Sequence, residues 1–134
     1  MTQLFLCSVR DARAKLLRIA EIAETCLHRP ERLIFFVEDG RSAQFVDEFL
    51  WKCSESSFLP HAIHSSSDWI SISVEKKNIN GAAVAFNLCP TPLLIDGPFR
   101  AIYDFEDLSH PDKRRLSSVR FDAYKKAGMT IISC

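Results

Sequence analysis

Apolar positions follow two rhythms along this chain, one close to two residues and one close to three and a half. Residues 3–9 form a short apolar run that predicts a first strand. From Asp11 to His28, Ala12, Leu16, Ile19, Ala23 and Leu27 recur at three- and four-residue spacing and make one helical stripe. Arg13, Arg18, Glu21 and Glu24 fall mainly outside it, and Pro30 closes the element. Residues 33–37 are unbroken apolar and are bounded by Glu38, Asp39 and Gly40. A strand buried on both faces has this look, which favours a parallel sheet covered by helices. Residues 42–51 predict a second helix with Ala43, Val46, Phe49 and Leu50 inward. Helix neighbours lie about 100° apart, so Phe49, Leu50 and Trp51 cannot all face one core. Trp51 is expected at a boundary.

The second half is less regular. Residues 52–68 read mostly as loop, with Ala62 and Ile63 as a short strand. Residues 70–74 alternate strictly and predict a strand with one wet face. Glu75 to Asn80 is a polar turn, Gly81 supports a reversal, and 82–88 is another strand. The segment 70–88 is therefore either a hairpin or two strands joined by a flexible loop. Residues 89–98 hold three of the six prolines and cross the surface irregularly. Residues 100–105 are a strand. Residues 110–127 are the last helix, with Pro111 in its first turn and Gly128 as its stop. Residues 129–133 close the sheet. The expected fold is one α/β domain over residues 1–134. It is a Rossmann-like three-layer sandwich, with a largely parallel central sheet and helices on both faces.

Composition narrows the function classes. The chain has 134 residues, 47% of them apolar, which is enough for a real core. Lys plus Arg equals Asp plus Glu at 17 each, so no global field steers a polyanion. No apolar run reaches the roughly 18–20 residues of a membrane span. The N-terminal residues show no basic leader, so a cytoplasmic protein is expected. Five cysteines, widely spaced and odd in number, read as small apolar residues and not as bridges.

Candidate chemistry is sparse. A Rossmann-like sheet invites a nucleotide or small-molecule site near Glu38 and Asp39, and that is the alternative reading. The turn Ser8–Val9–Arg10–Asp11–Ala12 has no glycine to let a pyrophosphate approach, and no phosphate loop is present. Asp39–Gly40 reads as the turn into a helix, with Asp39 or Ser42 able to cap it. Cys53, His61 and His64 are near in sequence but match no common zinc spacing. No serine elbow, carboxylate pair or Cys/His nucleophile can be assembled. Neither an enzyme, nor a cofactor, nor a metal is expected. Trp51 and Phe58 are two large aromatics without an obvious core to enter. They suit a protein–protein contact, or else they plug the end of the sheet.

The last helix is more informative. Leu116, Val119, Ala123 and Ala127 define the expected inward stripe. Phe121 lies roughly 140° from Leu116, with Arg114 and Lys125 close beside it. Arg120 is placed at the edge of the inward face. An aromatic beside cations suits a peptide carrying an apolar side chain and a carboxylate. The plainer reading is an amphipathic helix whose basic side chains snorkel.

Asp47–Glu48–Phe49–Leu50–Trp51 followed by Ser57–Phe58–Leu59–Pro60–His61 resembles the chi subunit of the bacterial DNA polymerase III holoenzyme. Arg120–Phe121–Asp122–Ala123–Tyr124–Lys125–Lys126–Ala127–Gly128 is similar to that family's final helix and glycine. Element order agrees over nearly the whole chain, and 62–108 agrees in pattern alone. The resemblance implies a noncatalytic accessory subunit of the clamp-loader assembly. Such a subunit pairs with psi and grips the acidic, phenylalanine-ended tail of single-stranded-DNA-binding protein, so that DNA is contacted only indirectly. It places Trp51 and Phe58 at the psi surface, and Arg114, Arg120, Phe121, Tyr124 and Lys125 around the tail. Ser118 and Asp122 depart from the family pattern, since several relatives carry basic residues there. Asp122 would repel an acidic tail, so that tail binding is either weaker here or shifted toward Arg114, Arg115 and Lys125.

Overall fold

The structure, a computed structural model, describes residues 2–53, 59–95 and 97–134. Among these, seven strands and three helices run in the order β1 (Gln3–Val9), α1 (Ala12–His28), β2 (Leu33–Phe36), α2 (Gly40–Lys52), β3 (His61–Ile63), β4 (Ile70–Ser73), β5 (Val84–Asn87), β6 (Ala101–Asp107), α3 (Pro111–Lys126) and β7 (Thr130–Ser133). The strands make one sheet, ordered β3-β4-β2-β5-β6-β1-β7, and every adjacent pair is parallel. This is the α/β Rossmann-like sandwich that the unbroken run at 33–37 announced.

Parallel neighbours need crossovers, and the crossovers cover both faces. On one face α1 and α2 bury Ile19, Ala23, Cys26, Ala43, Val46 and Leu50 against Leu33, Phe35 and Val37. On the other, Tyr124 of α3 packs with Leu93 and Phe99 of the 88–100 crossover against Ile34, Phe36 and Ile102. Alternate residues of β2 thus enter opposite cores, and all four are buried. Caps fix where the helices begin. Asp11 Oδ1 accepts from Ala14 N at 2.7 Å and Asp39 Oδ1 from Ser42 N at 2.8 Å. At the far end of α3, Gly128 takes φ +76°. That left-handed turn lets Met129 N donate to Tyr124 O and Gly128 N to Lys125 O.

Of the two readings of residues 70–88, the two joined strands hold and the hairpin does not, because β4 and β5 do not pair and both flank β2 in parallel. Three expectations need correction. β4 has no wet face: Ser71 and Ser73 are fully buried. Ser71 Oγ accepts from Ser65 N, and Ser73 Oγ donates to Glu75 O. The inward face of α3 is Ser117, Arg120 and Tyr124, while Leu116 and Val119 are exposed. Cys7 and Cys134 form a disulfide, so the cysteines are not all unbridged.

Candidate partner-binding site

Two regions outside the core bring unusual side chains together, one on each face of the sheet. The first is the C-terminal end of α2. Asp47 and Trp51 are one helical turn apart, and His61 at the start of β3 lies against both. The His61 Nε2 atom is 3.1 Å from Asp47 O and 3.3 Å from Asp47 Oδ1, and Nδ1 is 2.6 Å from Leu59 O. The Trp51 ring lies 4.7 Å from the His61 ring, centroid to centroid. His61 is buried, whereas Trp51 stays 54% exposed. The sequence pairing of Asp47, Trp51 and His61 is thus one local constellation that fixes the rim on which Trp51 stands. Phe58 lies outside the described residues. His61 is already committed through both ring nitrogens, and no group of three or more His, Cys, Asp or Glu suited to a metal occurs among the described residues.

The second region surrounds α3. Here the sequence expectation and the structure part most clearly. The Arg120 side chain points into the protein, where Nε donates to Asp104 Oδ2 at 3.2 Å and Nη2 to Phe105 O at 2.9 Å. Its Nη1 donates to Pro90 O at 3.2 Å. Tyr124 is fully buried; its hydroxyl donates to Asp104 Oδ2 at 2.5 Å and accepts from Leu93 N at 3.0 Å. Asn87 Nδ2 reaches the same carboxylate oxygen at 3.1 Å, and Phe105 N reaches the other at 2.7 Å. Burial pushes the Asp104 carboxyl up from its usual range, while Arg120 and the hydrogen bonds from Tyr124 and Asn87 pull it down. A cation and three further donors facing one carboxylate favour the ionised form. Burial beside that charge raises the Tyr124 phenol. Tyr124 therefore offers no surface to a partner. It belongs with Arg120 to a network joining α3, β5, β6 and the 88–93 segment.

The other three residues expected around α3 lie on one outer flank. Arg114 is exposed, Phe121 is half-buried, and Lys125 Nζ sits 4.8 Å from the Phe121 ring centre. Lys125 Nζ is also 3.9 Å from Asp122 Oδ1, so the acid and the cation of this flank meet each other.

The opposite flank holds what the sequence reading missed. A pocket of ≈ 170 Å³ opens at the carboxyl ends of β5 and β6, its wall part apolar (Leu88, Pro90, Phe105, Leu116) and part polar or charged (Lys15, Asn87, Asp104, Asp107, Lys113, Arg120). Lys15 Nζ is 3.2 Å from Asp107 Oδ2. Lys113 is exposed at the lip. Leu116, 37% exposed, and Val119, 57% exposed, continue the apolar surface along α3. The available signal was that Leu116 and Val119 lie on the same side as Lys113, with the more polar Ser117, Arg120 and Tyr124 forming a stripe of their own.

Beyond Lys15 and Leu88, which line both, a second groove runs between α1 and α2, walled by Leu16, Ile19, Val37, Phe45 and Val46 with Arg41 at its edge. The amide ends of both helices beside it are already capped by Asp11 and Asp39. Two carboxylates held there work against an incoming phosphate. Hydrogen bonds from Ser42 hold Asp39 below the usual carboxylate range, so it stays charged. This weighs against the nucleotide reading at Glu38 and Asp39.

An all-parallel sandwich with a pocket of mixed apolar and charged lining at its carboxyl edge and an exposed tryptophan on the other face is a Rossmann-like domain with two separate surfaces. The chain belongs to the family described as DNA polymerase III chi subunit, HolC, whose model matches residues 1–132. It is accordingly a replication accessory subunit of the polymerase III holoenzyme. Among curated proteins, none matches the chain. No helix among the described residues is long and apolar enough to cross a membrane.

Proposed function

We propose that this subunit is a noncatalytic bridge in the cytoplasm. It joins the clamp-loader assembly, through psi, to the C-terminal tail of single-stranded-DNA-binding protein. The psi contact lies around Trp51 and Phe58. The tail docks beside α3, with its terminal aromatic in the pocket at Leu116 and its carboxylates toward Lys113, while Arg114 and Lys125, on the opposite flank, add only longer-range attraction. Arg120 and Phe121 shape the helix on either side, and Tyr124 holds it in place. No cofactor or metal is assigned.

The observation that carries this reading is the pocket beside α3. Its ≈ 170 Å³ has room for a benzene-sized ring, which fills an engineered cavity of ~150 Å³, and its apolar wall is Leu88, Pro90, Phe105 and Leu116. Its two carboxylates are already matched, Asp107 by Lys15 and Asp104 by Arg120, so the lip presents Lys113 to an acidic peptide. The placement also eases the difficulty posed by Asp122, whose carboxylate lies on the opposite flank beside Lys125.

The test is titration of the protein with a labelled synthetic tail peptide, followed by anisotropy. Saturable binding that weakens with salt, and that is lost when the terminal Phe of the peptide is replaced by Ala, is expected. Binding indifferent to both changes would overturn the tail assignment. Psi capture is tested separately, with Trp51→Ala in a pull-down against purified psi.

A further inference from the structure

The register of the sheet edge sets two cysteines opposite each other. β1 pairs with β7 from Gln3 opposite Thr130 to Leu6 opposite Ser133. The next step along both strands brings Cys7 opposite Cys134, with Cα atoms 4.7 Å apart and the two residues 127 positions apart in sequence. A backbone bond from Cys134 N to Leu6 O, 3.0 Å, continues the ladder to this last residue. A Cα separation of this size lies within the range a disulfide spans.

The two sulfurs sit in contrasting places. Cys7 is fully buried in the core beneath α1, while Cys134 is exposed at the chain terminus. β7 is an outer strand of the sheet, joined to β1 over four residues, and only its Ile131 and Ile132 are even half-buried. β1, by contrast, pairs with β6 over seven. A short edge strand with little buried apolar surface opens at low free energy. The bond ties that strand to one that cannot open.

We propose that Cys7 and Cys134 are a reversible redox latch for β7, closed by a thiol–disulfide oxidant of the glutathione class. The Cys134 thiolate attacks the oxidant disulfide and forms a mixed disulfide, releasing one glutathione thiolate. The Cys7 thiolate then attacks the Cys134 sulfur of the mixed disulfide and releases the second. The two protein thiols lose two electrons and two protons, and the oxidant becomes two thiols. Cys134 reacts first because it is the accessible partner. The remaining cysteines compete poorly: burial pushes Cys26 up to about 12 and raises Cys89 and Cys53. Closing the latch fixes β7 and, through the turn at Gly128, the end of α3. Reduction leaves β7 held by its ladder to β1 and by the packing of Ile131 against the core on the α3 side.

The experiment equilibrates the full chain in glutathione buffers of graded ratio, quenches with iodoacetamide, and reads intact mass and linked peptides. Hydrogen exchange of β7 is measured in parallel. Oxidising buffers are expected to protect Cys7 and Cys134 from alkylation, to yield the peptide linking them, and to slow β7 exchange about tenfold or more, all reversed by dithiothreitol. Cys134→Ser, which alters only an exposed terminal residue, is expected to keep the reduced exchange pattern in every buffer. Alkylation of both cysteines at all ratios, a glutathione adduct on Cys134 that never resolves, or redox-dependent β7 exchange in Cys134→Ser would each overturn the latch.

Discussion

Arg120 and Asp104 form an ion pair inside this protein, 3.2 Å apart, with 8% and 1% of their side chains exposed. The arginine that sequence reading placed at the helix edge is therefore a structural cation. Removing it leaves a buried carboxylate without its charge partner. Such losses cost about 3–5 kcal/mol. Arg120→Ala is expected to lower the free energy of unfolding by that order, read from urea denaturation curves, whether or not any partner is present. Near-wild-type stability would refute the interior role.

The pocket beside α3 makes a separable prediction. Lys113 and Leu116 stand at its lip and hold nothing else in place, so Leu116→Ala and Lys113→Glu are expected to leave stability within about 0.5 kcal/mol. Each is expected to weaken tail-peptide binding about tenfold, or about 1.4 kcal/mol. Anisotropy titrations beside denaturation curves check both halves. If Phe121→Ala weakens binding and Leu116→Ala does not, the tail lies on the other flank.

Trp51 leans against His61, its ring tilted at 58°, but remains 54% exposed, so its side chain is more surface than core. Trp51→Ala is expected to cost about 1 kcal/mol or less in stability and to abolish recovery of psi in a pull-down. A large stability loss with psi still captured would make Trp51 a plug for the sheet end.

Glu31 and Arg100 link the loop after α1 to the loop before β6 through two hydrogen bonds, 2.6 and 2.7 Å. Arg100 holds the Glu31 carboxyl below its ordinary value of 4.5. A carboxylate lowered on folding stabilises the native state above its unfolded pKa and loses that contribution as pH falls through the folded one. The pair is partly exposed, so its worth is about 0.5 kcal/mol. Thermal melts from pH 7 to pH 3 are expected to show Glu31→Gln less stable than wild type at pH 7, with the gap closing below about pH 4.5. A gap unchanged across that range would contradict the assignment.

Cys26 is buried on the inward face of α1 and its thiol is pushed up to about 12 by burial, with Glu31 adding to the effect. It is expected to resist iodoacetamide at pH 8 in the native protein and to react on unfolding in urea. Mass spectrometry of the two samples reads this directly.

Much of the architecture was legible because it depends on local periodicity. The unbroken run at 33–37 announced a strand buried on both faces. Pro30, Pro111 and Gly128 marked helix ends through constraints that act within one turn. The capping role of Asp39 followed from the same local rule. At 70–88 the choice between a hairpin and two separate strands stayed open, because two strands close in sequence do not fix their own pairing. Here β2, nearly forty residues earlier in the chain, inserts between them.

What sequence alone determined, then, is the set of elements, the parallel α/β class and the aromatic that stays at the end of α2. The rest waited for tertiary structure. Ser117, Arg120 and Tyr124 look like a solvent-facing stripe until Asp104 and Asn87 are brought beneath them. Cys7 and Cys134 look unrelated until the β1–β7 register sets them side by side. A polar group turns inward only when distant residues supply its partners, and a chain read one residue at a time does not carry those distances.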